Sequence, residues 1–402
     1  MHKMATIENP PTMNQKLSPK NQKTTILQFG GGVFLRAFVG SFVEEANTRF
    51  QAREAIAIVE RTRSAVSELL AQEQYRYTVV TEGIVKGENV RESTRIHAVA
   101  EMLTADTDWA RVLEIVASEE VHVIISNATE SGIVFDESDV GLITSGLVPQ
   151  SFPGKLTACL HHRWKAGSGA SKRLYILPTE LIENNAMVLH SIVVSLAEAS
   201  QFEQEFFSWL EENVQFCNTL VDRIVPGTPD KNLLQEYSKW LGYTDEALVT
   251  TEPYRLWAIE GDESVKAALS FASCKGVVVK PDISEERTLK VRILNAGHTL
   301  MAPHAMGQGL ETVLQAMNHA EISQFIEKAL RTEVALTLDY EAEKVQNYIS
   351  EVLDRFRNPF LQHKLSGIRK GEEVKFAMRI QPTIDAYRKK FGREPMVLPH
   401  SN

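Results

Sequence analysis

Ile26-Leu-Gln-Phe-Gly-Gly-Gly-Val-Phe-Leu-Arg-Ala-Phe38 is the stretch on which the fold turns. Ile26 to Phe29 is an apolar run of strand length, three glycines break it, and from Val33 to Phe50 the apolar residues recur with helical spacing. Phe34, Ala37, Phe38, Phe42 and Val43 fall on one side of that helix. A strand, a glycine turn and a helix in succession open a nucleotide-binding βαβ unit. Its glycines let the backbone approach a pyrophosphate, which rests on the positive end of the helix. In a GxGxxG reading Gly30 and Gly32 fill the first two places and Leu35 stands at the third. Phe34 and Arg36 lie in the first turn beside them; Arg36 is placed either to meet a phosphate or to form a surface salt bridge.

Downstream the alternation continues. Ala55 to Val59 reads as a second strand ending at Glu60, and Val121 to Ile125 as a third after a helical Asp108–Ser118. Leu174 to Leu177 is a fourth, followed by a helix from about Asn184 to Ala199. Buried strands alternating with helices predict an α/β fold with a Rossmann-like, doubly wound parallel sheet. Glu60 ends its strand where an acid accepts ribose hydroxyls and disfavours a 2'-phosphate; Arg61 and Arg63 would welcome that phosphate, and the balance favours NAD over NADP. Ser126, Asn127 and Thr129, in Ser126-Asn-Ala-Thr-Glu130, follow a strand's carboxyl end, where polar groups face the ligand crevice; a plain capped turn reads the same way.

Further strands are expected over Thr219–Val225, Leu256–Glu260 and Gly276–Val279. After the polar connection Lys280–Glu286, helical periodicity runs almost unbroken to about Lys390. The division expected is a flexible leader over residues 1–24, an NAD-binding Rossmann-like domain over 25–285 and a mostly α-helical substrate and catalytic domain over 286–402. With a net charge of -9 and no basic run, the 402-residue chain does not fit a nucleic-acid partner. No apolar run reaches the roughly 18 residues that span a bilayer. Cys159, Cys217 and Cys274 are scattered, which supports neither a disulfide framework nor a zinc site and suits the cytoplasm. A small-molecule partner is left.

Leu289-Lys-Val-Arg-Ile-Leu-Asn-Ala-Gly-His298 supplies chemistry without a metal. In an α-helix, Lys290, Asn295 and His298 lie at roughly 0°, 140° and 80° around the cylinder, an amine, an amide and an imidazole on one face. Such a set can move a proton on and off a carbinol oxygen. An amphipathic helix with an ordinary polar side has the same spacing.

Taken together, these residues resemble the mannitol dehydrogenase family of polyol-specific long-chain dehydrogenases. The first block is similar to its GxGxFxRA signature. Ser126–Glu130 with Gly132, Val221-Asp-Arg-Ile224, Glu252–Glu260 and Lys290-x4-Asn295-x2-His298 resemble its later blocks in order, from about residue 25 to 382. Within the family, Leu177–Asn185, Phe216–Val225 and Arg355–Pro359 look like a branch that interconverts keto-hexuronates and aldonates, although Thr179 and Ala186 depart from that branch. The resemblance implies NAD-dependent, metal-independent hydride transfer with Lys290 as general acid/base. It also implies that Asn295 and Asn185 hold the oxyanion, Asn185 rather than Asn184 keeping the motif's register, and that His298 positions the substrate hydroxyl. A hexuronate carboxylate needs a cation, and Arg355, His363 and Lys364 are the candidates. Fructuronate or a mannitol-type polyol is the alternative substrate, a non-catalytic nucleotide sensor the alternative class, and a monomer or homodimer the expected state. The chain is expected to end sooner than its relatives.

Overall fold

The computed structural model describes residues 23–129, 132–167 and 172–399. The expected leader lies outside them apart from Lys23 and Thr24, as does Glu130. Among the described residues twelve strands are formed: β1 Ile26–Phe29, β2 Ile56–Glu60, β3 Tyr77–Val85, β4 Glu88–Ile96, β5 Val99–Thr104, β6 Val123–Ser126, β7 Leu174–Pro178, β8 Val214–Phe216, β9 Thr219–Asp222, β10 Val249–Thr251, β11 Leu256–Glu260 and β12 Val277–Lys280. Six of them make a wholly parallel sheet in the order β5-β2-β1-β6-β7-β8. The winding reverses between β1 and β6, and a crevice opens there at the carboxyl ends.

The four central strands of this sheet, β2, β1, β6 and β7, are buried on both faces, as a parallel sheet requires. Ile26, Ile56 and Ile125 pack with Phe38, Phe42 and Trp257 on one side, while Leu27, Ala57 and Ile124 pack with Leu160, Leu189 and Val193 on the other. The helix Val33–Arg49 leaves the glycine turn with Phe34 stacked on Phe38 at 5.0 Å and Phe38 set edge-on to Phe42 at 5.1 Å. The doubly wound α/β architecture follows from the glycine block as expected.

Two three-stranded sheets extend this body. One is β10-β3-β4, built on a hairpin that pairs Tyr77 with Ile96 through Val85 with Glu88. The other is β12-β11-β9, in which β11 runs antiparallel to β9 and parallel to β12. From Ser284 to Phe391 the described chain is helical, and its core gathers Ile293, Leu300, Leu330, Ile349, Phe356 and Ile384. No helix among the described residues is long and apolar enough to cross a membrane.

The two bodies meet along buried polar contacts. Arg355, 6% exposed, donates to both carboxylate oxygens of Asp222 at 2.8 Å and to Glu252 at 2.8 and 3.0 Å. Asn358 reaches the Glu82 carbonyl at 3.2 Å. A Cβ on Gly83 would lie 2.6 Å from Pro253 and 2.7 Å from Asn358, so only glycine lets the helical body dock on β3.

Candidate active site

β9 is the strand on which the site is assembled. One of its edges pairs with β11, and the Thr219 and Val221 carbonyls point from the other. Lys290 of the helical body donates from Nζ to the Val221 carbonyl at 2.8 Å. Asn185, at the start of the helix that follows β7, takes Thr219 on the same edge: its Nδ2 lies 3.2 Å from the Thr219 carbonyl, and its Oδ1 accepts from the Thr219 N–H at 3.0 Å. Carbonyls two residues apart on one strand edge are separated by roughly 7 Å. Residues more than a hundred positions apart in sequence are thus brought to one edge.

That geometry corrects one expectation. Asn185 is 2% exposed, and its amide nitrogen also lies 3.1 Å from the Pro178 and Glu180 carbonyls, while Oδ1 takes the Ala186 N–H at 2.9 Å. Its two N–H groups are already surrounded by three acceptors, so it fastens the β7 exit to β9 and has no donor left for an oxyanion.

Lys290 to Asn295 does not form an ordinary α-helix. It is a π-helical turn, closed by the Ala296 N–H on the Val291 carbonyl, and Ala296–Gly307 then continues as α-helix. A helix closed by i to i+5 bonds has more residues per turn, so Asn295 comes round closer to Lys290's side than the roughly 140° of an α-helix. The Asn295 side chain makes no hydrogen bond to another described residue, which leaves its amide free to donate.

Burial pushes the Lys290 ammonium below the usual lysine range. Asp222 pulls the other way, and Arg355 and Arg379 add to the lowering. His298 is 8% exposed and stacks beside Phe356 at 4.5 Å and His363 at 4.8 Å. Burial first, then the nearby His363, Arg355, Arg379 and Lys375, drive its imidazole well below the usual range, so it is neutral near pH 7. Its Nε2 is buried without a hydrogen-bond partner among the described residues. A buried polar atom left unpaired costs about 1–3 kcal/mol, and a substrate hydroxyl would satisfy it. A small cavity lies against this ring, lined by His298, His363, Arg355, Phe356 and Asn358.

Of the three cations expected to meet a carboxylate, His363 packs against the His298 ring and Arg355 lines the same cavity. Arg355 is a correction: four of its five N–H donors are used by Asp222 and Glu252, and its guanidinium lies 4.2 Å over the Tyr254 ring. Lys364 is exposed and has no ion pair among the described residues.

At the β1–β6 crevice the glycine turn has the shape a pyrophosphate needs. Gly30 is held at φ +117°, in the region that favours glycine, and Gly32 begins the helix with no side-chain cap, which leaves its first N–H groups free. A Cβ on Gly31 would collide with the Glu60 carboxylate, which therefore folds directly over the turn. Asn127 donates its backbone N–H to the Phe29 carbonyl at 3.2 Å, the Ser126 side chain is buried, and Asn127 and Thr129 are exposed at the crevice. Phe34 is half-buried on Phe38.

Arg36 is the third correction. It is 1% exposed, donates to the Ala247 carbonyl at 2.9 Å and lies 5.5 Å over the Tyr77 ring, pointing into the core rather than toward a phosphate.

Three acids had no assigned role in the sequence. Asp222 and Glu252 hold Arg355, and both lie inside blocks of the resemblance (Val221–Ile224 and Glu252–Glu260), the only signal that pointed to them. Glu180, 3% exposed, accepts from the Ala128 N–H at 2.7 Å, and burial raises its carboxyl above the usual range.

Two domain models match the chain: "Mannitol dehydrogenase Rossmann domain" over residues 24–273 and "Mannitol dehydrogenase C-terminal domain" over residues 282–395. An altronate oxidoreductase of Halalkalibacterium halodurans is 39% identical over 376 residues, 93% of this chain and 72% of that protein. The altronate oxidoreductase of Bacillus subtilis is 37% identical, over 92% of this chain and 76% of its own. A substrate-free D-sorbitol dehydrogenase superposes with a TM-score of 0.79 at 24% identity, covering 92% of this chain and 77% of that one. The Pseudomonas fluorescens mannitol 2-dehydrogenase ternary complex with NAD and D-mannitol gives 0.73 at 21%, covering 93% and 76%. At these identities the two structures speak for the fold alone.

Proposed function

The chain belongs to the mannitol dehydrogenase family and is an oxidoreductase of CH–OH groups; from that premise we propose that it interconverts tagaturonate and altronate, with NAD as cofactor and Lys290 as general acid/base. The altronate oxidoreductase relatives support the substrate. The observation that carries the chemistry is Lys290, its Nζ on the Val221 carbonyl and its ammonium destabilised by burial, on one helix with a neutral His298 whose Nε2 is unpartnered.

A bound nicotinamide would supply or accept the hydride. The glycine turn fits its diphosphate: Gly30 and Gly32 admit the backbone, and Glu60 folded over the turn suits ribose hydroxyls rather than a 2'-phosphate. The rest is proton handling. In reduction the keto oxygen becomes an alkoxide as its carbon receives hydride. The Asn295 amide donates to that oxygen, and Lys290 gives it a proton, closing the balance of ketone, hydride and proton to secondary alcohol. In oxidation the neutral Lys290 amine removes the proton. His298 accepts or donates a hydrogen bond at the neighbouring hydroxyl and stays uncharged.

The substrate reading is tested by following NADH with tagaturonate, fructuronate, fructose and fructose 6-phosphate. Tagaturonate is expected to give a kcat/KM at least about tenfold above the others, since a hydroxyl of the wrong configuration in fructuronate, or the missing carboxylate in fructose, leaves a buried hydrogen-bonding group unpaired. A preference for fructuronate or fructose moves the substrate within the family. NADH binding with no turnover on any of the four favours a nucleotide sensor.

The lowered Lys290 ammonium sets the pH profile. Oxidation needs the amine, so kcat for altronate rises with pH and levels off once the amine predominates. A lowered pKa places that plateau at lower pH than a free lysine would. Reduction needs the ammonium and falls through the same pH. An oxidation limb still climbing at about pH 10.4, where an unperturbed lysine titrates, would contradict the assignment.

A further inference from the structure

Two arginines approach the catalytic face from the helical body, and they differ in what their donors do. Arg355 is saturated by Asp222 and Glu252. Arg379, the last residue of the helix Glu372–Arg379, makes one side-chain hydrogen bond, from Nη1 to the Thr299 hydroxyl at 3.3 Å, and pairs with no carboxylate among the described residues. Thr299 in turn donates to the Asn295 carbonyl at 2.9 Å. The guanidinium is therefore pinned to the helical turn that carries Asn295 and His298, half-buried, with four of its five N–H donors unused.

One turn earlier on the same helix stands Lys375, which among the described residues reaches only the Ile368 carbonyl, at 2.7 Å. Like charges four apart on a helix repel. Burial lowers the pKa of each cation, and the Arg379 charge lowers Lys375 further. The buried acids on the Lys290 side, Asp222 and Glu252, are both engaged by Arg355. A chain of net charge -9 thus keeps unpaired positive charge beside its proton-transfer residues. An arrangement that repels itself in the free protein is relieved by an anion.

We infer that Arg379 receives the carboxylate of the substrate and makes the site selective for an acidic sugar over its neutral counterpart. The planar fork suits a carboxylate held at two points, and the Thr299 bond fixes its orientation. This rests on the hexuronate reading above and adds to it the group that would impose it, in the role first expected of Arg355.

The test compares tagaturonate with D-tagatose, the same ketose with a hydroxymethyl group in place of the carboxylate, in wild-type, Arg379→Ala and Arg379→Lys proteins with NADH. In Arg379→Ala the ratio of kcat/KM for tagaturonate to that for tagatose falls about 50-fold, mostly through the KM for tagaturonate. Arg379→Lys recovers part of the ratio, because it keeps the charge and loses the fork. An equal loss on both substrates marks Arg379 as structural and overturns the assignment, as does an unchanged ratio. The wild-type measurements judge the substrate reading separately: a wild type that turns over tagatose and no uronate refutes that reading and this one together.

Discussion

Lys290→Ala is expected to lower kcat for tagaturonate reduction at least about a thousandfold while the affinity for NADH changes less than about threefold. General acid–base catalysis by one positioned group contributes about 10²–10⁴. The upper part of that range applies because, among the described residues, no other titratable side chain hydrogen-bonds the Val221 carbonyl; the next group on that edge, Asn185, is an amide committed to backbone. Cofactor affinity should survive because the glycine turn and Glu60 belong to the other body of the protein. Steady-state rates with a fluorescence titration of NADH check both halves, and partial rescue by added methylamine would identify the missing function as an amine. Turnover within tenfold of wild type would remove Lys290 from the mechanism.

The second large effect is on stability. Arg355→Ala leaves the Asp222 and Glu252 carboxylates buried without the guanidinium that bonds both, and breaking a buried ion pair in this way costs about 3–5 kcal/mol. Burial and the neighbouring Asp222 already push the Glu252 carboxyl up against the restraint of Arg355. Asp222 is held below its usual range, burial being outweighed by Arg355 and Lys290. Loss of the guanidinium removes the restraint from both. Urea unfolding should show the loss in the midpoint at nearly constant slope. The triple variant Arg355→Met, Asp222→Asn, Glu252→Gln should recover more than half of it, since removing all the charges removes the desolvation penalty too. A loss below about 1 kcal/mol in Arg355→Ala would mean the contact is solvated in solution.

What could be read from the sequence, and what could not, divides along chain separation. The glycine block fixed the sheet because its signal is local: an apolar run, a turn that needs glycine and a helix with an apolar side. The hairpin β3–β4 escaped because Glu88-Asn-Val-Arg-Glu-Ser-Thr-Arg-Ile96 is an exposed edge strand with few apolar residues to mark its period. Arg36 and Arg355 look like surface cations by type; only carbonyls and carboxylates over a hundred positions away explain their burial. Arg379 was missed for the opposite reason, since nothing near it in sequence separates an unpaired arginine from a paired one. The group Lys290, Asn295 and His298 was legible by spacing, but its geometry was not, because no residue type announces a π-helical turn.

That turn acts as a phase adjuster. An α-helix from Ser284 to Gly307 would have a single phase throughout, so seating Ala296–Gly307 in the core would also dictate where Lys290 points. The extra residue in the turn uncouples the two. The downstream helix keeps Ala296, Leu300 and Met301 in the core, while Lys290 is dialled independently onto β9. Relaxing this turn to α at unchanged length would return Lys290 to the roughly 140° offset from Asn295 and carry the amine away from the Val221 carbonyl.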